Sequence, residues 1–251
     1  MRHELAALFQ QWPYLPLGAL LAVRLVAWYA VERRWPAREV ELRAVWKADL
    51  ASSLFLFLVT IPLSDALTLR LVPPLGVPAP ILALPLWVRL ALYVVLADLG
   101  HYLVHRLLHT GPLWRFHRWH HAPEHLSWLA GNRQSLPDRF LVGLPYLGLF
   151  PLLGGAPWWL GLLLLGFAGL KNDWMHLNLG PRLAWLEGAI VTPRYHALHH
   201  SVDPAHQGRN LGALFPWWDR LFSTHAPVED VRALRYGIGE RVPLARLVSG
   251  L

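Results

Sequence analysis

The stretch LASSLFLFLVTIPLSDALTLRLV, residues 50–72, carries one acid and one base among otherwise apolar or small polar side chains. At about 1.5 Å per residue, a helix of this length is long enough to cross roughly 30 Å of hydrocarbon. Outward from it the pattern repeats. LGALLAVRLVAWYAV (residues 17–31) precedes it, and after the turn signal PPLG (residues 73–76) a third apolar run extends from 81 to about 100. A fourth block, residues 140–170, is broken by GGAP at 154–157. Each half is too short for a perpendicular crossing, so a helical hairpin is expected there. Composition agrees with lipid as the solvent: of 251 residues, 55% are hydrophobic and 16% charged, and 14 are Trp. The expected fold is an all-α integral membrane protein, a single membrane domain over residues 1–251. It has about four membrane-spanning helical elements, the last a hairpin, and a His-rich cytoplasmic cap.

The basic residues set the orientation. Of 23 Lys and Arg, all but Arg2, Arg24, Arg70 and Arg89 fall on the side shared by the cap segments. The positive-inside rule makes that side cytoplasmic and puts the N-terminus outside. The net charge of +7 is thereby explained without nucleic acid, since no basic run is interleaved with stacking aromatics. The first span reads as uncleaved, because Arg24 interrupts it and VERR follows. Arg24 and Arg89 lie inside spans and are read as structural. No retention or transit signal is evident and the loops are compact, which favours a bacterial inner membrane. The chain has no Cys, so thiolate metal sites and iron–sulfur clusters are excluded.

HRWHH at residues 117–121 returns as HALHH at 196–200. Positions i, i+3 and i+4 fall within about one third of a helix circumference, so three imidazoles converge in each. At this His content about 0.04 HxxHH matches are expected by chance. His101, His105 and His109 follow one another at i+4 steps near the inner end of the third span, and His176 follows the hairpin. His3, His206 and His225 read as surface residues. His125 lies near the first HxxHH but off its spacing, and His101 is left open between ligand, supporting group and core. Nine candidates, His105, His109, His117, His120, His121, His176, His196, His199 and His200, are too many for one ion. Two ions with four or five nitrogens each fit better. Imidazole suits iron, zinc, copper and nickel, so residue type alone does not choose among them.

The ordered set Asp98, HRLLH (105–109), LWRFHRWHH (113–121), WMHLN (174–178), VTPRYHALHHS (191–201) and WWDRLFSTH (217–225) resembles the fatty acid hydroxylase superfamily over residues 85–225. That superfamily includes sterol desaturases, C-4 methylsterol oxidases and sphingolipid hydroxylases. The resemblance implies a membrane di-iron oxygenase that uses O2 to hydroxylate or desaturate a lipid, with zinc able to replace iron in purified protein. It carries the nine histidines over as metal ligands. It also implies that Asp98 orients a ligand imidazole and that Asn178 and Asn210 are polar groups near the site. Where relatives often have a histidine after the first HxxHH, this chain has Ser135 in RQSLPD.

No fused electron-carrier signature is present, so a ferredoxin or cytochrome with its reductase is the implied donor. Two alternatives remain: a zinc-dependent hydrolase with Glu124 or Asp203 as base, and a family member that binds metal or lipid without turnover. Residues 226–251 are expected to form a tail whose last stretch lies on the membrane surface.

Overall fold

The structure, a computed structural model, describes residues 15–40, 42–227, 230–240 and 242–250. Arg2, His3 and the N-terminal end whose side the charge count assigns lie outside them, as do Arg241 and Leu251 of the tail. Helix α1 (Leu15–Arg34) is followed by α2 (Leu42–Phe55), which runs through a π-helical segment (Leu56–Thr60) into α3 (Ile61–Leu71). A short turn, α4 (Ala79–Leu82), precedes α5 (Leu86–Leu108) and α6 (Trp114–His121). Then come α7 (Leu136–Leu149), α8 (Trp158–His176), α9 (Pro193–His199), α10 (Trp217–Leu221) and α11 (Leu244–Ser249). The described residues form no strand, only isolated bridges between Pro36 and Leu179 and between Ser201 and Tyr236.

Among the described residues, two helices, Trp46–Leu71 and Leu86–Leu108, are long and apolar enough to cross a bilayer. The second differs from the expected run over 81–100. Pro85 separates it from α4, and it continues to Leu108, so His101 and His105 ride on the span itself. The break at GGAP does produce a hairpin. After α7 a 3-10 segment (Phe150–Leu153) and Gly155 at φ +75° reverse the chain into α8. Arg89, in the first turn of α5, donates to the carbonyls of Leu84, Leu152 and Gly154 at 3.1, 3.1 and 2.7 Å. It thus seals the hairpin turn beside the start of α5, which places the hairpin tip at the end of α5 remote from the histidines.

Burial is inverted relative to a water-soluble bundle. Along α2 and α3, Ser52, Ser53, Thr60, Ser64 and Thr68 are buried, while Leu58 and Leu69 are 72% and 78% exposed. On α8 Trp158, Leu162, Leu163 and Leu165 face outward. Small polar residues inward and leucines outward is the distribution of helices dissolved in hydrocarbon, where close packing and interhelical polarity replace the hydrophobic drive. Arg24 does not snorkel. It forms two 2.7 Å bonds to Asp173 of α8, which also accepts from Trp28 Nε1 at 2.9 Å. Gly169, one turn before Asp173, makes room, since a Cβ there would stand 2.8 Å from the guanidinium.

The remaining segments fold over the ends of α5 and α8. α11 packs on α6 and α7, and Gly250 beyond it lies against Phe116 and Ser135.

Candidate metal centre

Local caps set the histidine helices. Thr192 accepts from Tyr195 N and Pro193 occupies the first helical position, so α9 starts sharply and presents His196, His199 and His200 together. Ser135 caps α7 in the same way, accepting from Asp138 N, while its hydroxyl donates to the Phe116 carbonyl of α6 at 2.8 Å. The residue standing where relatives often carry histidine is therefore a fully buried hinge between α6 and α7.

All nine expected histidines meet, in two groups. One holds His105, His109, His117, His121 and His199; the other holds His120, His176, His196 and His200. Within each group one nitrogen per ring lies within 4.8 Å of every other. Each HxxHH is split between groups, because positions i+3 and i+4 point to opposite sides of a shared midline. The outer nitrogens show which tautomer is present. Nδ1 of His105 donates to Leu211 O at 2.8 Å, that of His176 to Asn172 O at 2.7 Å, and that of His199 to Arg209 O at 2.9 Å. His117 Nδ1 donates to Asp138 Oδ1 at 2.9 Å. With the proton on Nδ1, the Nε2 lone pair points inward.

Those lone pairs crowd one another. His105 and His117 bring Nε2 atoms to 3.0 Å, and the contacts His176–His120, His196–His176 and His200–His196 are each 3.1 Å. Nε2 of His109, His121 and His199 is buried with no hydrogen-bond partner. Facing lone pairs repel in the absence of a cation, so the chemistry of each group fits a bound metal. Burial, aided by neighbouring imidazoles, holds His120, His121, His196, His199 and His200 well below the usual histidine range. They are neutral at pH 7, the form that binds metal.

The expected polar residues act differently. Asp98 touches no imidazole; it accepts from Leu214 N, Phe215 N and Trp218 Nε1 at 2.9, 3.1 and 2.9 Å. It shares a face of α5 with His105 but lies seven residues, about two turns, before it, so it holds the 209–215 loop at a point too far along the helix axis to reach the ring. Asp219 clamps the same loop, accepting from Leu211 N and Gly212 N, from Tyr195 Oη and from Thr224 Oγ1. That loop supplies the carbonyls that orient His105 and His199. Asn178 pairs with Arg38 through its side chain and donates its N–H to Glu32, tying the loop after α8 to the end of α1. Asn210, at φ +52°, binds Tyr195 O and both backbone groups of Ala226. Neither asparagine reaches an imidazole. The carboxylate that does is Asp138, whose signal in the sequence is the capping pattern S-x-x-D within RQSLPD.

Outside both groups, His125 and His225 are exposed and His206 bonds Ser201 Oγ. Glu124 is exposed, and Asp203 caps its own turn, so neither stands at the cluster as a hydrolytic base.

Two substitutions test the support. Asp138→Asn should lower metal affinity about tenfold to a hundredfold without changing the fold, as losses of such imidazole partners do; metal titration with circular dichroism as control reads this directly. Gly131→Ala should be worse for the four-histidine group, because its Cβ would overlap the His176 ring, with Cγ at 2.6 Å. The expected result is selective loss of metal from that group.

Helices with inverted burial, bearing nine clustered imidazoles at one end, are the architecture of a membrane protein with a candidate metal centre. The profile of the fatty acid hydroxylase family matches residues 90–224, and the chain belongs to that family. It is 32% identical over 145 residues to an alkylglycerol monooxygenase of Danio rerio, a match covering 57% of this chain and 32% of that protein. An ornithine lipid hydroxylase of Rhizobium tropici is 34% identical over 151 residues, covering 57% of this chain and 44% of the relative. A fatty acid hydroxylase of Lecanicillium sp is 32% identical over 172 residues, covering 62% and 46%. The chain thus spans less than half the length of these relatives. No solved structure matches it.

Proposed function

We propose that this protein is a membrane di-iron oxygenase that hydroxylates or desaturates a lipid C–H bond using O2 and electrons from a separate carrier. The observation that carries this is the pairing of five- and four-imidazole groups, with no carboxylate of the described residues among the inward-facing atoms. The names of the three relatives, all oxygenases or hydroxylases, lend the reaction class. Two irons held by these histidines would supply activation of O2, which acid–base chemistry cannot replace at an unactivated C–H bond. The balance for hydroxylation is RH + O2 + 2 electrons + 2 protons giving ROH and water.

The chain's own part is placement. Asp138 and the carbonyls of Leu211, Arg209 and Asn172 hold four rings in one tautomer, so no reorientation is needed when metal binds. Helices α5, α7 and α8 lead from the hydrocarbon to the cluster, which keeps water away from it and brings a lipid chain in. The hairpin and α1 complete four spanning elements, and the centre faces the cytoplasm of a bacterial inner membrane. A ferredoxin or cytochrome docks on the basic cap.

The test is metal content of the detergent-purified protein after expression with iron supplied and zinc kept low. About two irons per chain, with O2-dependent product from membrane lipid, is expected. Zinc alone, with failed iron reconstitution, would overturn the reading in favour of a zinc-dependent enzyme or a binding protein.

A further inference from the structure

Three side chains from three helices meet one helical turn to the membrane side of the histidine groups. His101 precedes His105 by one turn on α5, Tyr146 lies on α7, and Lys171 precedes His176 on α8. Lys171 Nζ donates to Tyr146 Oη at 2.7 Å and stands 5.1 Å from the ring centroid. The His101 ring lies 5.8 Å from that of Tyr146 and 5.7 Å from that of His105. Lys171 lies five residues before His176 on α8, and Tyr146 links it to His101, one turn before His105 on α5.

Every other cation at this depth has its partner. Arg24 is bound by Asp173, and Arg139 faces Asp65 at 3.5 Å. Among the described residues no carboxylate lies within ion-pair distance of Lys171, and both oxygens of Asp98 on α5 are taken by the 214–218 segment. An ammonium ion held at membrane depth without a counter-charge is costly and marks a functional position. Tyr146 Oη accepts from Lys171 and keeps its own proton to donate, the ammonium has further N–H groups, and His101 Nδ1 is buried with no partner. The set is rich in donors and short of an acceptor. All three residues are only partly covered.

The geometry points to a subsite for an acidic oxygen of the lipid head, a carboxylate or a phosphate, held by Lys171 and Tyr146 with His101. Its consequence for the reaction rests on the oxygenase reading above. One turn is about 5.4 Å, or about three to five bonds at roughly 1.5 Å each. The oxidised carbon therefore lies near the head of the lipid rather than at its tail.

Binding is measured by isothermal titration of the intact, detergent-solubilised protein with palmitate, hexadecyl phosphate and hexadecanol, at a pH where both acids are ionised. At least one anion should bind about tenfold or more tightly than hexadecanol, and the favoured one identifies the head as carboxylate or phosphate. Lys171→Met should erase that preference and leave hexadecanol binding and metal content unchanged, while Lys171→Arg keeps it. Should Lys171→Met fail to fold, Tyr146→Phe supplies the test and should weaken the preference. Equal binding of all three lipids by the unaltered protein would overturn the subsite, as would a preference surviving both Lys171→Met and Tyr146→Phe. The latter is what direct binding of the anion to metal would give. The assay needs neither iron nor turnover, so its failure is distinct from failure of the oxygenase reading.

Discussion

His199→Ala and His120→Ala should each abolish lipid product while leaving the protein in the membrane at normal abundance. The two residues are chosen because they sit in different groups, His199 among five imidazoles and His120 among four. Removing one nitrogen from the smaller group leaves three, and from the larger group four, so His120→Ala should lose its metal more completely. Loss of an imidazole's hydrogen-bond partner costs about 10- to 100-fold in such centres, and loss of the imidazole itself should exceed that. Product is read by lipid mass spectrometry and metal by elemental analysis of the same samples. Full activity in both variants would remove the nine-histidine centre from the mechanism. A retained metal content with lost product would instead show that His120 or His199 acts on substrate.

The histidines were legible because metal binding needs a residue type and a spacing, and both survive in one dimension. HxxHH puts three rings on one side of a helix; the structure brings all nine rings together but divides each HxxHH between the two groups. The helical hairpin was equally legible, since GGAP interrupts an apolar block where no continuous span can form. What holds the rings was not. Asp138 lies 21 residues from the His117 it orients, and an acid in the first turn of a helix has an ordinary explanation in the helix dipole. Asp98 misled for the converse reason. It precedes the first histidines on the same helix and shares a face with His105, but it stands about two turns further along the axis, where it meets the loop that Asp219 also holds. Backbone carbonyls of Leu211, Arg209 and Asn172 carry no side-chain signature at all. The clustering of Lys171 with Tyr146 and His101 joins three helices and is visible only in three dimensions.

Asp173→Asn and Arg24→Met should each destabilise the protein by about 3–5 kcal/mol, the cost of stranding one member of a buried ion pair. Arg24 is 6% exposed and Asp173 is fully covered, so neither charge can be rehydrated once its partner is gone. In Arg24→Met the carboxylate retains only Trp28 Nε1; in Asp173→Asn the guanidinium keeps an amide oxygen but no counter-charge. At the sensitivity expected of a chain this long, about 2–4 °C per kcal/mol, the melting point in mild detergent should fall by roughly 10 °C. The double variant Arg24→Met/Asp173→Met should recover much of this, because a buried pair replaced by apolar side chains of similar volume is often close to neutral. That recovery separates charge stranding from lost packing, which would add in the double variant. The site should feel the change through α8. Asp173 and His176 share its last turn, one bonded to α1 and the other to the four-histidine group. The ion pair thus sets the position of α8 against α1, and with it where the His176 ring stands. Single variants that melt like the unaltered protein would show that water or lipid head groups reach the pair. In that case the pair would not be what holds α8 in place.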